Sequence, residues 1–339
     1  MKNQRQTNYF LNYLKGLACM GIVLVHCRFP SVPGAVITAF ARSGIPFFFM
    51  LSGYYTFYAD RETTLSVTGR RIKKSFWLLM TVMLFYIAWR ILPKLLSGGI
   101  TEVFLWLKTS LFQQQIIIDF LLLNVTDSVN GVLWYIPAAL YVYLLFGILV
   151  KAGGKGKSLY IAAMILLVVN LVLCELGTVL ALGIHLKWYR NFLFTGFPFF
   201  MLGHYLHKKE KEIQLIKNKK IPLLIALLGG AMILLESWLV GNALLYIGNV
   251  VFVTGFYLFA IQNSLCKKGS LMGKIGSKLY LYIYISQVAV IEVMDKLAGR
   301  VVFFEGTMGL YVKPVLVLAV VVLLSACLYH AKLKNPLEK

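Results

Sequence analysis

Charged residues are scarce in this chain of 339 residues, of which 14% are charged and 59% are hydrophobic. A soluble domain cannot bury that much apolar surface, so the composition indicates an integral membrane protein. Acidic residues are scarcest, with 13 against 34 Lys and Arg, and the net charge is +21. Lys and Arg collect in the cytoplasmic loops of membrane proteins. Because no nucleic-acid-binding motif accompanies the charge, we do not predict nucleic acid as a partner.

Metal-binding and disulfide patterns are also lacking. The five cysteines are scattered, and the chain has neither a CxxC nor an HxxxH spacing. We therefore predict no metal site and no disulfide framework. The first apolar segment lacks a following small-residue cleavage pattern, so we expect a retained helix and not a signal peptide.

Long apolar runs dominate the chain and predict an all-α, polytopic fold of ten transmembrane helices in a single domain, 1–339. A span needs about 20 apolar residues. Placing both termini in the cytoplasm puts most of the basic residues on the inner side. An eleventh span at 103–123 would reverse this, so we predict that 103–123 lies in the outer interface or dips partly into the membrane. The predicted spans are 11–29, 36–58, 75–96, 132–150, 158–177, 192–207, 221–240, 243–265, 278–296 and 312–330.

His26 lies inside the first predicted helix, eleven residues after Lys15. Eleven residues make about three turns, so the two side chains share one helix face. An ionisable residue at membrane depth is costly and is by default a candidate functional residue. We interpret the pair as a cation at the membrane edge and a titratable base deeper in. The alternative is that His26 makes a hydrogen bond between helices.

The second predicted helix carries Arg42 near its outer end, followed by Ser52 and Gly53. Arg42 either binds a substrate or extends to the outer headgroups. The small pair lets a ligand or a neighbouring backbone come close, and helix packing alone explains it well.

A basic cluster of Arg70, Arg71, Lys73 and Lys74 lies where the third predicted helix begins. Such a cluster can bind phosphates, because arginine offers paired donors and lysine a point charge. From composition alone, ordinary positive-inside topology explains it better.

On the outer side, Trp134 and Tyr135 open the fourth predicted helix, and Arg190 precedes the sixth. The aromatic residues either belong to a membrane-interface belt or line the mouth of a pocket, where they would stack on a sugar ring. We interpret His204 and His207 as solvated or interfacial.

In their order along the chain, these segments resemble the acyltransferase 3 family of ten-helix membrane acyltransferases that modify bacterial cell-surface glycans. The resemblance extends over the whole chain. The family's first-helix run, from a basic residue and glycine to histidine, corresponds to Lys15-Gly16 through His26. Its other matching segments are Pro46–Tyr54, the residues Arg70, Arg71 and Lys74, Leu133–Ala138 and Phe197–Gly203.

Three residues depart from the family pattern. Lys15 replaces an arginine, which keeps the charge but loses paired phosphate binding. Trp77 stands where many members have proline. Gln287 falls where many members have a His-Pro pair, so a role of that histidine in transfer is lost or changed here.

The resemblance implies an acyltransferase of the bacterial plasma membrane that transfers groups other than aminoacyl groups. It would move an acyl group, acetyl in particular, from cytoplasmic acetyl-coenzyme A to a hydroxyl of a cell-envelope or small-molecule acceptor. Catalysis would fall to His26 and Lys15, since an unperturbed imidazole pKa of about 6.5 suits a general base or an acyl carrier. The residues implied to hold the donor are Lys15, Arg70, Arg71, Lys74, Ser52 and Gly53. Those implied to meet the acceptor, entering from outside, are Arg42, Trp134, Tyr135, Arg190 and Gln287.

Within the family, the segments around His26-Cys27, Arg42, Leu133-Trp134-Tyr135 and Arg190-Asn191 resemble the membrane domain of the vancomycin-resistance serine racemases. That domain is fused to a soluble racemase, so we expect a stand-alone relative or a truncated chain, with a fused or separate racemase as a partner. This branch adds an alternative function, transport of a small amino acid such as serine. Arg42 would then pair the substrate carboxylate, and His26 and Lys15 would gate or couple protons. A catalytically inactive scaffold is the third hypothesis.

Overall fold

The structure, a computed structural model, describes residues 7–154 and 156–331. These residues form helices and their connections without a β-strand, which confirms the predicted all-α class. The α-helices are α1 (Tyr9–His26), α2 (Ser31–Ala41), α3 (Gly44–Tyr54), α4 (Arg61–Ser110), α5 (Gln114–Leu123), α6 (Tyr135–Lys151), α7 (Gly156–Leu171), α8 (Gly177–Val179), α9 (Phe197–Lys208), α10 (Glu210–Gln214), α11 (Ile221–Leu239), α12 (Ile247–Gln262), α13 (Leu271–Lys274), α14 (Tyr280–Ala298) and α15 (Thr307–His330). Short π-helical turns are Val172–Leu176, Phe192–Gly196 and Ile275–Leu279.

The helices carry apolar surfaces that suit contact with lipid. Leu96 is 80% exposed, Trp238 is 79% exposed and Leu323 is 65% exposed. Soluble proteins seldom expose large apolar patches, so these surfaces indicate a multi-pass membrane protein. The count of ten spans and the side on which each terminus lies stay predictions. Among the described residues, seven segments are long and apolar enough to cross a bilayer: Tyr9–His26, Ser31–Tyr54, Arg61–Ser110, Gly131–Lys151, Gly156–Val179, Ile221–Leu239 and Thr307–His330.

The second predicted span, 36–58, is two helices and not one. Helix α2 ends at Ala41 and α3 begins at Gly44, so Arg42 and Ser43 lie at a break. Proline is tolerated in the first turn of a helix because it lacks an N–H donor, and Pro46 occupies the first turn of α3. The Ser43 hydroxyl also lies 2.9 Å from the Asn249 amide nitrogen, which satisfies a buried polar group at the break.

The third predicted helix begins fourteen residues earlier than expected, at Arg61 instead of residue 75. The Asp60 carboxylate caps this helix by accepting from the Thr63 backbone N–H at 2.7 Å, an interaction that lowers the pKa of Asp60. The helix runs to Ser110, with a non-helical residue at Gly99. The basic cluster therefore lies on α4 and not ahead of it. The segment 103–123 is divided between α4 and α5, and its place in the membrane stays a prediction.

The chain forms two compact units. The described residues of the first unit are 7–51, 171–183 and 205–331, and those of the second unit are 52–154, 156–170 and 184–204. In the first unit α1 and α14 run parallel, since Asn12 of α1 lies against Gly276 and His26 lies beside Asp295. Helix α15 runs antiparallel to α14, since Lys313 near its start pairs with Asp295 near the end of α14.

Candidate active site

The start of α1 is anchored by Asn8. Its side-chain oxygen accepts from the Leu11 backbone N–H at 2.9 Å, and its amide nitrogen donates to the Ala260 carbonyl at 2.8 Å. The Tyr9 backbone N–H donates to the Ser264 carbonyl at 2.7 Å. These bonds satisfy the first backbone donors of α1 and fix its position against the end of α12.

Lys15 is held against an aromatic ring. Its ammonium lies 3.1 Å from the centre of the Tyr280 ring, within the range of a cation–π interaction. The helices approach closely here because a Cβ at Gly16 would collide with the Met272 carbonyl oxygen. Lys15 therefore faces α14, at the level where that helix begins.

His26 is the last residue of α1, and it lines a cavity of about 190 Å³. The sequence predicted that His26 lies deep inside the first helix. In the structure α1 ends at His26, so the His26 side chain lies at the helix end and is exposed. The cavity lies between the end of α1, helix α14 and helix α15. It is lined by His26, Cys27, Arg28, Pro30, Ile291, Asp295, Leu310 and Lys313.

Sequence reasoning missed the charged residues of this cavity. The Lys313 ammonium lies 2.7 Å from an Asp295 carboxylate oxygen, and the Arg28 Nε donates to the Val25 carbonyl at 3.1 Å. Asp295 and Lys313 are charged residues near the ends of two predicted spans, which is the signal that would have singled them out. The ion pair between Asp295 and Lys313 links α14 to α15, although no sequence motif relates the two helices.

Gln287 also belongs to the first unit, on the same face of α14 as Ile291 and Asp295. Its side chain is 0% exposed. Gln287 thus lies one turn from a residue that lines the His26 cavity, on the side toward Lys15 and Tyr280.

Arg42 sits at the break between α2 and α3. One of its terminal nitrogens donates to the Asn242 side-chain oxygen at 2.7 Å. Its Nε is buried and has no hydrogen-bond partner within the described residues. Arg42 is therefore held to Asn242 within the first unit, and its buried Nε donor is left over for a ligand.

Within the second unit, the basic cluster is split between two environments. Arg71 is turned inward: its guanidinium donates to the Tyr143 hydroxyl at 3.2 Å and to the Tyr55 carbonyl at 3.1 Å. Arg70 is exposed and contacts the Ser66 hydroxyl on its own helix at 2.8 Å. Lys74 is half-buried. Arg71 therefore stabilises the packing of the second unit, whereas the exposed guanidinium N–H groups of Arg70 are available to bind an anion.

The Ser52-Gly53 pair fits the packing interpretation. A Cβ at Gly53 would collide with the Phe200 carbonyl oxygen, so α3 and α9 are in direct backbone contact. The Ser52 carbonyl accepts from the Thr56 hydroxyl at 2.6 Å. No room for a ligand exists between Gly53 and Phe200.

The outer residues of the second unit form a small charged and aromatic group. The Arg190 guanidinium lies 5.6 Å from the Trp134 ring centre and 3.5 Å from an Asp127 carboxylate oxygen. Trp134 is only 8% exposed, so its ring is not an open stacking surface, and the neighbouring Tyr135 is half-buried. Of the five predicted acceptor residues, Trp134, Tyr135 and Arg190 belong to the second unit, and Arg42 and Gln287 to the first.

His204, which the sequence predicted to be solvated or interfacial, is half-buried in the second unit. Its Nδ1 lies 2.8 Å from the Tyr160 hydroxyl, and its ring contacts those of Phe57 and Phe146. The side chain is half-buried because α9 turns this face toward the second unit's own aromatic residues. Among the described residues, no three His, Cys, Asp or Glu side chains are grouped to hold a metal ion.

A comparison with protein families identifies one match. Residues 8–330 match the acyltransferase domain that defines the acyltransferase 3 family. No curated protein and no solved structure matches the chain. The match covers nearly the whole sequence, including both units and the His26 cavity. The chain therefore belongs to the acyltransferase 3 family, and it is a multi-pass membrane acyltransferase.

Proposed function

We propose that the protein transfers an acyl group, acetyl in particular, from cytoplasmic acyl-coenzyme A to a hydroxyl of an acceptor on the outer side of a bacterial plasma membrane. The observation that carries this proposal is the cavity beside His26. A general base must reach the proton that it removes, and the imidazole lines a cavity open to a ligand.

The transfer step follows from the chemistry of imidazole. Neutral His26 removes the proton of the acceptor hydroxyl while the hydroxyl oxygen attacks the acyl carbonyl carbon. The carbon–sulfur bond then breaks, and the coenzyme A thiolate takes the proton from the imidazolium. A base of this kind contributes about 10²- to 10⁴-fold to a rate.

The size of the cavity limits what reaches His26. Pockets for drug-sized ligands measure about 300–1,000 Å³, and this cavity measures about 190 Å³. The cavity therefore suits a small acceptor, or one end of a larger cell-envelope acceptor.

Each unit offers its own candidate residues for donor binding. In the second unit, exposed Arg70 and half-buried Lys74 are suited to bind phosphates of coenzyme A. In the first unit, the candidate is Lys15, whose ammonium lies against the Tyr280 ring. Arg71 contributes indirectly, because its hydrogen bonds to Tyr143 and Tyr55 fix the helix that carries Arg70.

Labelled acetyl-coenzyme A tests this proposal directly. Purified protein in nanodiscs, with extracted cell-envelope material and a panel of small hydroxyl compounds, should consume the donor and label an acceptor. His330→Ala should behave as wild type, since His330 is exposed at the end of α15. Wild type that neither binds nor consumes the donor with any acceptor would contradict the proposal.

The cavity also gives one reason to test transport of a small amino acid. The cavity is lined by the negatively charged Asp295 and by the positively charged Arg28 and Lys313. A zwitterionic amino acid carries a complementary charge of each sign. Serine uptake into proteoliposomes without binding of coenzyme A would favour transport over transfer. Uptake unaffected by Arg42→Met would argue against Arg42 as the carboxylate partner.

A further inference from the structure

Gln287 leaves both polar atoms of its buried side chain without a hydrogen-bond partner, more than any other described residue of the first unit. It is 0% exposed, and neither its amide oxygen nor its amide nitrogen has a hydrogen-bond partner among the described residues. A buried polar group without a partner costs about 1–3 kcal/mol, and most such groups in proteins are satisfied. This amide has donors and acceptors ready for something other than the protein itself.

Two other buried polar side chains of the same unit have hydrogen-bond partners. The amide of buried Asn249 donates to the Ala39 carbonyl and to Ser43, both at 2.9 Å. On the preceding residue of α14, the Ser286 hydroxyl pairs with Ser325 of α15 at 3.4 Å. Thr38 and Arg42 of this unit each leave a single buried atom without a hydrogen-bond partner, whereas Gln287 leaves its whole amide without one.

The position of Gln287 relates it to both candidate catalytic residues. Ile291, one turn or about 5.4 Å further along α14, lines the cavity with His26. In the other direction, Tyr280 lies about two turns away and contacts Lys15. Because α1 and α14 run parallel, Gln287 lies at a level between Lys15 and His26.

We propose that the Gln287 amide nitrogen binds the carbonyl oxygen of the acyl group during transfer. The inference rests on the proposed function, since it needs an acyl group beside His26. The base must lie about 3 Å from the acceptor hydroxyl that attacks the carbonyl carbon, and the donor must lie about 3 Å from the carbonyl oxygen. Because the acceptor hydroxyl lies between the base and the carbonyl, a donor about one helical turn from the cavity suits this geometry.

The amide stabilises charge that develops in the reaction. As the acceptor oxygen attacks the carbonyl carbon, one electron pair of the C=O bond moves to its oxygen, and the Gln287 N–H donates to that oxyanion. When the C–S bond breaks, the C=O bond re-forms and the hydrogen bond weakens. Donors of this type contribute about 10²- to 10³-fold to kcat.

Substitutions that keep size but change hydrogen bonding test the role. Gln287→Met removes the donor and should lower kcat about 100-fold or more, with the KM for acetyl-coenzyme A within about threefold. Its thermal stability should equal or exceed that of wild type, because the substitution removes an unpaired amide. Gln287→Leu, the second variant if Gln287→Met does not fold, also lacks a hydrogen-bond donor and should lose as much activity.

Gln287→His supplies the rescue, since histidine carries an N–H donor, and it should stay within about tenfold of wild-type kcat. Ser325→Ala is the matched control for disturbing a buried polar residue, and its kcat should match wild type. Wild-type transfer that Gln287→Met and Gln287→Leu leave unchanged would overturn this inference alone. Equal losses in the Met, Leu and His variants would also overturn it, because they would show a packing role. A wild type without transfer would overturn the proposed function itself.

Discussion

Helices α1 and α4 both carry basic residues in family motifs, and they use them differently. On α1, Lys15 and His26 both face α14, one against the Tyr280 ring and the other against a cavity. On α4, the adjacent Arg70 and Arg71 point in different directions, because consecutive helical residues are rotated by about 100°. Arg70 is exposed, whereas Arg71 is hydrogen-bonded to Tyr143 and Tyr55 within the second unit. A motif therefore fixes which residues occur together, and helix rotation decides which of them meet a ligand.

His26→Ala should give the largest change. Loss of the base should lower kcat about 1,000-fold, corresponding to about 4 kcal/mol in the barrier, with little change in the KM for acetyl-coenzyme A. Steady-state kinetics in nanodiscs measure both constants, with His330→Ala as the control. Activity retained in His26→Ala would show that His26 on α1 is not the general base.

Gly53→Ala tests whether the Ser52-Gly53 pair packs helices or binds the donor. An added methyl would collide with the Phe200 carbonyl, so the free energy of unfolding should fall by up to about 3 kcal/mol. Gly69→Ala on α4 is the matched control. A Cβ added at Gly69 would meet no atom within 4 Å, and alanine favours a helix, so stability should hold or rise. Chemical denaturation in mild detergent measures both variants. A stable Gly53→Ala protein with weakened donor binding would support the ligand interpretation instead.

The two adjacent arginines should separate binding from stability. Arg71→Met loses two hydrogen bonds from a charged group and should lower the free energy of unfolding by about 2 kcal/mol. Arg70→Met should leave the melting temperature unchanged and raise the KM for acetyl-coenzyme A several-fold, because it removes a phosphate contact. Equal effects of the two substitutions on both quantities would show that their orientations do not matter.

The N-caps of the two helices should differ in their dependence on pH. Asp60 caps α4 as a carboxylate and has a lowered pKa, whereas Asn8 caps α1 with an amide that does not titrate. The Asp60 contribution is present above the ordinary aspartate pKa and is lost as the pH falls through its lowered value. Amide hydrogen exchange, corrected for the intrinsic rate, should show protection at Thr63 falling in acid and protection at Leu11 unchanged. Asp60→Asn should remove the dependence, and persistence of it in that variant would assign it to another group.

The sequence predicted the fold class and the family because both depend on features spread over the whole chain. Long apolar runs follow from the bilayer itself, and the family predicted from the order of the motifs was confirmed by the family match over residues 8–330. Local boundaries were harder to predict. The break before Pro46 and the early start of α4 at Arg61 both depend on single capping or breaking residues within otherwise helical segments.

The contents of the candidate site were only partly predictable. Lys15 and His26 lie eleven residues apart on one helix, so periodicity alone places them on one face. Asp295 and Lys313 meet His26 only through the packing of α1, α14 and α15, which no local pattern encodes. The inward turn of Arg71 likewise depends on Tyr143 of another helix.

The most direct test of the account is a structure of the protein bound to a non-transferable analogue of acetyl-coenzyme A. We predict density for the acyl end in the first unit, with its carbonyl oxygen within hydrogen-bond distance of the Gln287 amide and its carbonyl carbon beside the His26 cavity. An acyl end bound away from His26, with the cavity unchanged from its unliganded form, would contradict the account.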